Sequence, residues 1–135
     1  YNRCIGTRYC ANNCPYLSRV FNWFDYEIPE PMAYYLNPSV TVRRRGVMEK
    51  CTFCVQRIHA GQEQAKAEGR PVQDGDIVPA CAQACPTDAI IFGDLSDPQS
   101  RVSQMARSQR SFRQLEELGT EPRVIYLKGG GQYGG

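Results

Sequence analysis

Cys4-Ile5-Gly6-Thr7-Arg8-Tyr9-Cys10-Ala11-Asn12-Asn13-Cys14-Pro15 is the stretch on which the reading of this chain turns. A second group answers it: Cys51-Thr52-Phe53-Cys54, then 26 residues, then Cys81-Ala82-Gln83-Ala84-Cys85-Pro86. Both groups end in a cysteine, three spacers, a cysteine and a proline, which points to an internal duplication. The proline supplies no N–H and fixes φ, so it ends a loop as the chain leaves it.

Bacterial two-cluster ferredoxins use C-x₂-C-x₂-C-x₃-C-P twice, and the fourth cysteine of each run reaches across to the other cluster. The first run fits that frame at every step except one: Thr7 stands where the second cysteine belongs. The second run keeps Cys51 and Cys54, and an insert carries its third cysteine to Cys81. Crossing the fourth cysteines predicts two ligand sets. Cys4, Cys10 and Cys85 form one, with Thr7 at the vacant corner; Cys14, Cys51, Cys54 and Cys81 form the other. All seven cysteines are used.

A threonine hydroxyl is a poor ligand for soft iron beside thiolates. The simplest outcome is a 3Fe–4S cluster at the first site and a 4Fe–4S cluster at the second. A four-iron cluster completed by water or by the Thr7 oxygen is the alternative. The three-iron site is expected to be the more oxidising. Two other accounts of the cysteines use fewer of them. A disulfide framework leaves one of seven over, and a zinc site on Cys51, Cys54, Cys81 and Cys85 leaves the first run without a purpose. The reading is therefore iron and sulfide, with no zinc.

The 135 residues, 41% hydrophobic, suit a compact domain. Lys and Arg number 16 against 14 Asp and Glu. This near balance, with no basic stripe beyond Arg43-Arg44-Arg45, gives no reason to expect nucleic acid. No apolar run reaches the roughly 18–20 residues a membrane span needs, so membrane association is expected through a partner. The sequence opens at Tyr1 without Met or a leader, as the C-terminal part of a longer chain or a processed N-terminus would.

The expected fold class is α+β: a two-cluster ferredoxin-like domain over 1–95, with an aromatic and proline-rich insert at about 16–50. A C-terminal helix and strand over 96–128 and a glycine-rich tail over 129–135 follow. Within the insert, Pro29, Pro31 and Pro38 predict loop, with short extended pieces at Val40-Thr41-Val42 and Gly46-Val47-Met48. Residues 55–68 predict a helix stopped by Gly69-Arg70-Pro71. Asp97-Pro98 predicts the cap and first turn of a longer helix. Val102, Met105, Phe112, Leu115 and Leu118 lie on one face of it, and Gly119 ends it. After Pro86, Thr87-Asp88-Ala89 reads as a helical turn and Ile90-Ile91-Phe92-Gly93 as a short buried strand; Val124-Ile125-Tyr126-Leu127 reads as a last strand.

These residues carry a family resemblance. Cys51-Thr52-Phe53-Cys54 with Arg57, then Ala80 to Ala89 and Ile91-Phe92-Gly93-Asp94, resemble the multi-cluster iron–sulfur subunits of the nitrite-reductase and polysulfide-reductase type. Within that group, Cys4 to Tyr16 with Arg19 and Phe21-Asn22-Trp23-Phe24-Asp25-Tyr26 resemble the iron–sulfur subunit of alternative complex III, a bacterial quinol oxidoreductase. The resemblance covers roughly residues 1–98. It implies a non-catalytic electron-transfer module of a respiratory or photosynthetic complex. The implied partners are an integral membrane quinone-binding subunit, c-type haem subunits, and an upstream iron–sulfur and molybdopterin-like region on the same or another chain. It implies a peripheral place on the extracytoplasmic face of the membrane, with electrons entering at the three-iron cluster. A subunit of a molybdopterin-type polysulfide or nitrite reductase, a free ferredoxin-like carrier and a zinc-stabilised interaction module are the competing classes.

Phe21, Trp23, Phe24, Tyr26, Tyr34 and Tyr35 read either as a surface docking on a membrane subunit or as packing around the clusters. Arg8, Lys50 and Arg57 neighbour ligands in sequence and are placed to offset cluster charge. Arg43-Arg44-Arg45 reads as a solvated or partner-facing run, and His59, the sole histidine, as a surface helix residue.

Overall fold

The computed structural model describes Tyr1 and residues 3–129. The tail expected over 129–135 therefore lies, beyond Gly129, outside the described residues. The chain divides into two compact units, Tyr1–Ala60 and Gly61–Gly135. Short helices and two small antiparallel ladders make up both, in keeping with the expected mixed α and β class.

The first unit opens with α1 (Tyr9–Asn12), followed by β1 (Val20–Phe21), a 3₁₀ turn (Met32–Tyr35) and β2 (Met48–Glu49). β1 and β2 pair antiparallel, with Val20 opposite Glu49 and Phe21 opposite Met48. Two-residue strands hold little by themselves, and side chains reinforce this pair. Asn22 Nδ2 donates to Glu49 Oε2 at 2.6 Å, and Arg43 Nε donates to the other carboxylate oxygen. The proline-rich insert is thus a loop pinned at its base. Of its two predicted extended pieces, Met48 enters β2, whereas Val40-Thr41-Val42 joins no ladder.

α2 (Val55–Ala67) matches its predicted span. Gly69 ends it at φ +69, and Arg70 N bonds back to the Ala65 carbonyl at 3.1 Å. Gly61 lets the helix lie close to the following loop, since a Cβ there would meet Ile77 Cγ1 at 2.6 Å. α3 (Ala80–Gln83) and α4 (Arg101–Ala106) follow, then β3 (Ser111–Phe112), a 3₁₀ turn (Glu116–Leu118) and β4 (Tyr126–Leu127).

The C-terminal helix corrects the sequence reading. Asp97 does not cap it; its carboxylate accepts from Gln99 N at 2.9 Å and closes a local turn. Ser100, buried at 1% exposure, is the N-cap, and its hydroxyl accepts from Ser103 N at 3.2 Å. The helix stops after Ala106, whose carbonyl accepts from the Ser111 hydroxyl at 2.8 Å. Phe112 leaves the predicted helix face for β3, where its ring stacks on Tyr126 at 5.6 Å. Serines that bond the backbone locally, together with pairing to β4, override the 3.6-residue pattern. Gly119 keeps its role as a cap, at φ +63, but of the 3₁₀ turn. The predicted strand Ile90-Ile91-Phe92-Gly93 enters no ladder, and Ile90 is 42% exposed.

Candidate metal centres

Similar turns present the first cysteine of each run, alike at the second residue after it and different at the third, where Cys54 takes φ +55 and Thr7 stays outside the left-handed region. The Phe53 N–H points at Cys51 Sγ, with N and S 3.4 Å apart, and Phe53 takes φ +55. In the first run Gly6, two residues after Cys4, takes φ +75, and its N–H points at Cys4 Sγ. A second donor, Met48 N at 3.4 Å, reaches Cys4 from the start of β2. Three residues after each leading cysteine stand Thr7 and Cys54.

The closing halves of the two runs are equally alike. Cys10 lies on α1 and Cys81 on α3, each the second residue of a four-residue helix. Cys14 N bonds the Ala11 carbonyl and Cys85 N the Ala82 carbonyl, both at 3.2 Å. Leu17 N then bonds the Cys14 carbonyl at 3.3 Å and Asp88 N the Cys85 carbonyl at 3.4 Å. The residues four beyond each cysteine turn back to its sulfur: Ser18 through its hydroxyl and N–H, Ala89 through its N–H at 3.3 Å.

These contacts favour the thiolate, which is the form that binds iron. The Ser18 hydroxyl and N–H bring Cys14 down to about 7. The Met48 and Gly6 N–H groups lower Cys4, and the Thr87 hydroxyl with the Ala89 N–H lowers Cys85. None of the seven cysteines is joined in a disulfide. Five belong to the first unit, and Cys81 and Cys85 to the second. Among the described residues, no three His, Cys, Asp or Glu side chains converge as they would on a single ion. A cuboid cluster makes a different demand: iron and sulfide stand between the thiolates, and N–H groups aimed at sulfur tune it. The donor set and the N–H···S bonds fit that group. So does the sparse core, for Met48 and Ala65 are the buried hydrophobic residues among those described. A chain that buries so little depends on staples such as metal ligation.

The other predicted residues separate into several environments. Trp23, Phe24, Tyr26, Tyr34 and Tyr35 are all exposed, from 57% to 86%. Phe21 is half-buried and meets Trp23 edge-on at 4.6 Å. Arg8 lies over both rings, 5.3 Å and 4.9 Å from their centres. Lys50 Nζ donates to the Cys51 carbonyl at 2.9 Å. Arg43 is no solvated residue: it pairs with Glu49 and covers the Tyr1 ring, whereas Arg44 and Arg45 are exposed. His59 is exposed on α2, as expected. Met48 and Ala89 carry no sequence signal as sulfur partners, because any residue type supplies a backbone N–H; Ser18 acts through its hydroxyl as well. Gly6 was a legible clue, a glycine at a loop position that takes a left-handed conformation.

The family model of the 4Fe-4S dicluster domain matches residues 3–89. The chain is 52% identical over 130 residues to the iron–sulfur cluster-binding subunit of a menaquinone reductase from Nitratidesulfovibrio vulgaris, covering 94% of this chain and 51% of that one. It is 41% identical to the iron–sulfur subunit 1 of an Hdr-like menaquinol oxidoreductase from Archaeoglobus fulgidus, over 97% of this chain and 45% of the relative. To the B subunit of polysulfide reductase from Wolinella succinogenes it is 32% identical, over 92% and 47%. The chain spans about half the length of these curated relatives. Among the described residues no helix is long and apolar enough to cross a membrane. Since the family match runs across both of the paired Cys-Pro turns, the chain belongs to the 4Fe-4S dicluster domain family.

Proposed function

We propose that this chain is an iron–sulfur electron-transfer module of a membrane quinone oxidoreductase. Its 3Fe–4S cluster is held by Cys4, Cys10 and Cys85, and its 4Fe–4S cluster by Cys14, Cys51, Cys54 and Cys81. The observation that carries the split is the repeated turn: Gly6 after Cys4 is built like Phe53 after Cys51, which supports the equivalence of Thr7 with Cys54. The bound clusters supply one-electron acceptance and release. The protein's own part is to hold thiolates, aim N–H groups at their sulfurs and limit water.

Relatives named for menaquinone and menaquinol support a quinone-binding membrane partner. The exposed rings Trp23, Phe24, Tyr26, Tyr34 and Tyr35 supply an apolar surface for docking. The finer reading follows the alternative complex III resemblance: an extracytoplasmic position, electron entry at the three-iron cluster, and onward passage to c-type haems. Anaerobic iron and sulfide counting on the whole complex, with electron paramagnetic resonance of the oxidised state, tests the assignment. Non-haem iron one short of a whole number of four-iron cuboids, with an oxidised three-iron signal from this chain, is the expected result. Two complete four-iron clusters here, or zinc, overturn it.

A further inference from the structure

We infer that Arg8 is a positioning charge that raises the reduction potential of the cluster held by Cys4 and Cys10, the first-run cluster, and that a Phe21–Trp23 clamp holds it in place. The inference deepens the proposed electron-transfer role and rests on it.

Arg8 directly follows Thr7 and lies two residues before Cys10, at the N-cap of α1. Its backbone takes φ +65, a conformation that costs a non-glycine residue and persists only where surroundings enforce it. Its carbonyl accepts from both Ala11 N at 2.9 Å and Asn12 N at 3.2 Å. The guanidinium sits over Phe21 at 5.3 Å and Trp23 at 4.9 Å, on two rings that meet edge-on. The same Phe21 ring lies against the other side of the open-corner residue: a Cβ on Gly6 would stand 3.4 Å from Phe21 Cε2. Thr7 is therefore flanked in sequence by two residues, Gly6 and Arg8, that both lie against the Phe21 ring.

The guanidinium also keeps its charge. Among the described residues, no carboxylate pairs with Arg8, whereas Arg43 and Arg101 each hold one and Arg70 holds two. Ring faces hold a guanidinium without neutralising it. A cluster with its thiolates is anionic and gains a further negative charge on reduction, so a fixed cation beside it favours the reduced state. Arg8 is exposed, and screening confines its influence to the nearer cluster.

The test is a potentiometric titration of the whole complex, followed by electron paramagnetic resonance, with Arg8→Gln, Arg8→Lys and Trp23→Leu. Arg8→Gln is expected to lower the midpoint of the first-run cluster and leave the other unmoved. Arg8→Lys should retain most of the native midpoint, and Trp23→Leu, which frees the charge without removing it, should give a smaller shift of the same sign. Unchanged midpoints in Arg8→Gln, equal shifts at both clusters, or a lysine variant as low as glutamine overturns the inference. If Arg8→Gln does not retain its clusters, Trp23→Leu decides: a lowered first-run midpoint supports the clamp and an unmoved one overturns it. The cluster type read in the same spectra tests the three-iron assignment separately, because Arg8 acts on whichever cluster Cys4 and Cys10 hold.

Discussion

Leu17 and Asp88 share one backbone conformation, φ +51 and +50, and each donates its N–H to the carbonyl of the cysteine three residues earlier. A leucine and an aspartate have no common side-chain reason to enter the left-handed region, where a non-glycine residue pays about 1–3 kcal/mol. The turn is imposed by what precedes it, a helix-borne cysteine, a second cysteine and a proline. Cys14 and Cys85 are thus the same residue of a duplicated unit.

Equivalence of Cys14 and Cys85 makes cross-ligation testable. Under the proposed ligand sets, Cys14→Ser is expected to damage the four-iron cluster, although Cys14 neighbours Cys4 and Cys10 in sequence. Cys85→Ser is expected to damage the three-iron cluster. Electron paramagnetic resonance of each variant separates the two signals. The reverse pattern would rule out the exchange of fourth cysteines.

On the proposed assignment, Thr7→Cys supplies a thiolate at the sequence position that corresponds to Cys54 in the second run. The expected outcome is one additional iron per chain, loss of the oxidised three-iron signal and a lower potential at that site. Iron analysis and the oxidised-state spectrum check it. An unchanged iron content means that Thr7 does not stand at a cluster corner.

Gly6 meets two constraints at once. Its φ is +75, and a Cβ would fall 2.6 Å from the Gly46 carbonyl oxygen, a backbone atom with little freedom to retreat. Gly69 has a similar φ, +69, but open space around it. Gly69→Ala is expected to cost about 1 kcal/mol, the left-handed penalty alone. Gly6→Ala should cost clearly more, on the order of 3 kcal/mol, with poorer cluster retention, because the Gly6 N–H serves Cys4. Denaturation midpoints and iron content of the two variants give the comparison. Equal costs would show that the Gly46 contact relaxes freely.

The ligand runs and α2 were legible because each depends on local spacing. Cysteines at fixed intervals and a capped run of helix formers state their structure within a few residues. The C-terminal segment was misread for the opposite reason. Val102, Met105, Phe112 and Leu115 do recur at helical intervals, but Phe112 gains a partner in Tyr126, 14 residues further on, which no local window reveals. The N–H donors to sulfur stayed hidden because any residue type can supply them. The pairing of Arg43 with Glu49 was likewise concealed, since a run of three arginines reads as a solvated face until the base of its loop is seen.

That loop base yields a prediction with a defined pH course. Burial pushes the Glu49 carboxyl up, but the Asn22 amide and the Arg43 guanidinium together outweigh it, so its pKa lies below the ordinary value. A folded pKa below the unfolded one gives stability that is complete above the unfolded value, about 4.3, and is lost as pH falls through the folded one. Between pH 6 and 8 the contribution should therefore be constant. Trypsin cutting at the exposed Arg44 and Arg45 reports how often the loop opens. Glu49→Gln removes the charge, keeps the shape, and should raise the cutting rate roughly fivefold, about 1 kcal/mol after discounting for partial exposure. The factor should be the same at pH 6, 7 and 8. A factor that grows or shrinks over that range would mean that another titrating group, and not Glu49, closes the base of the insert.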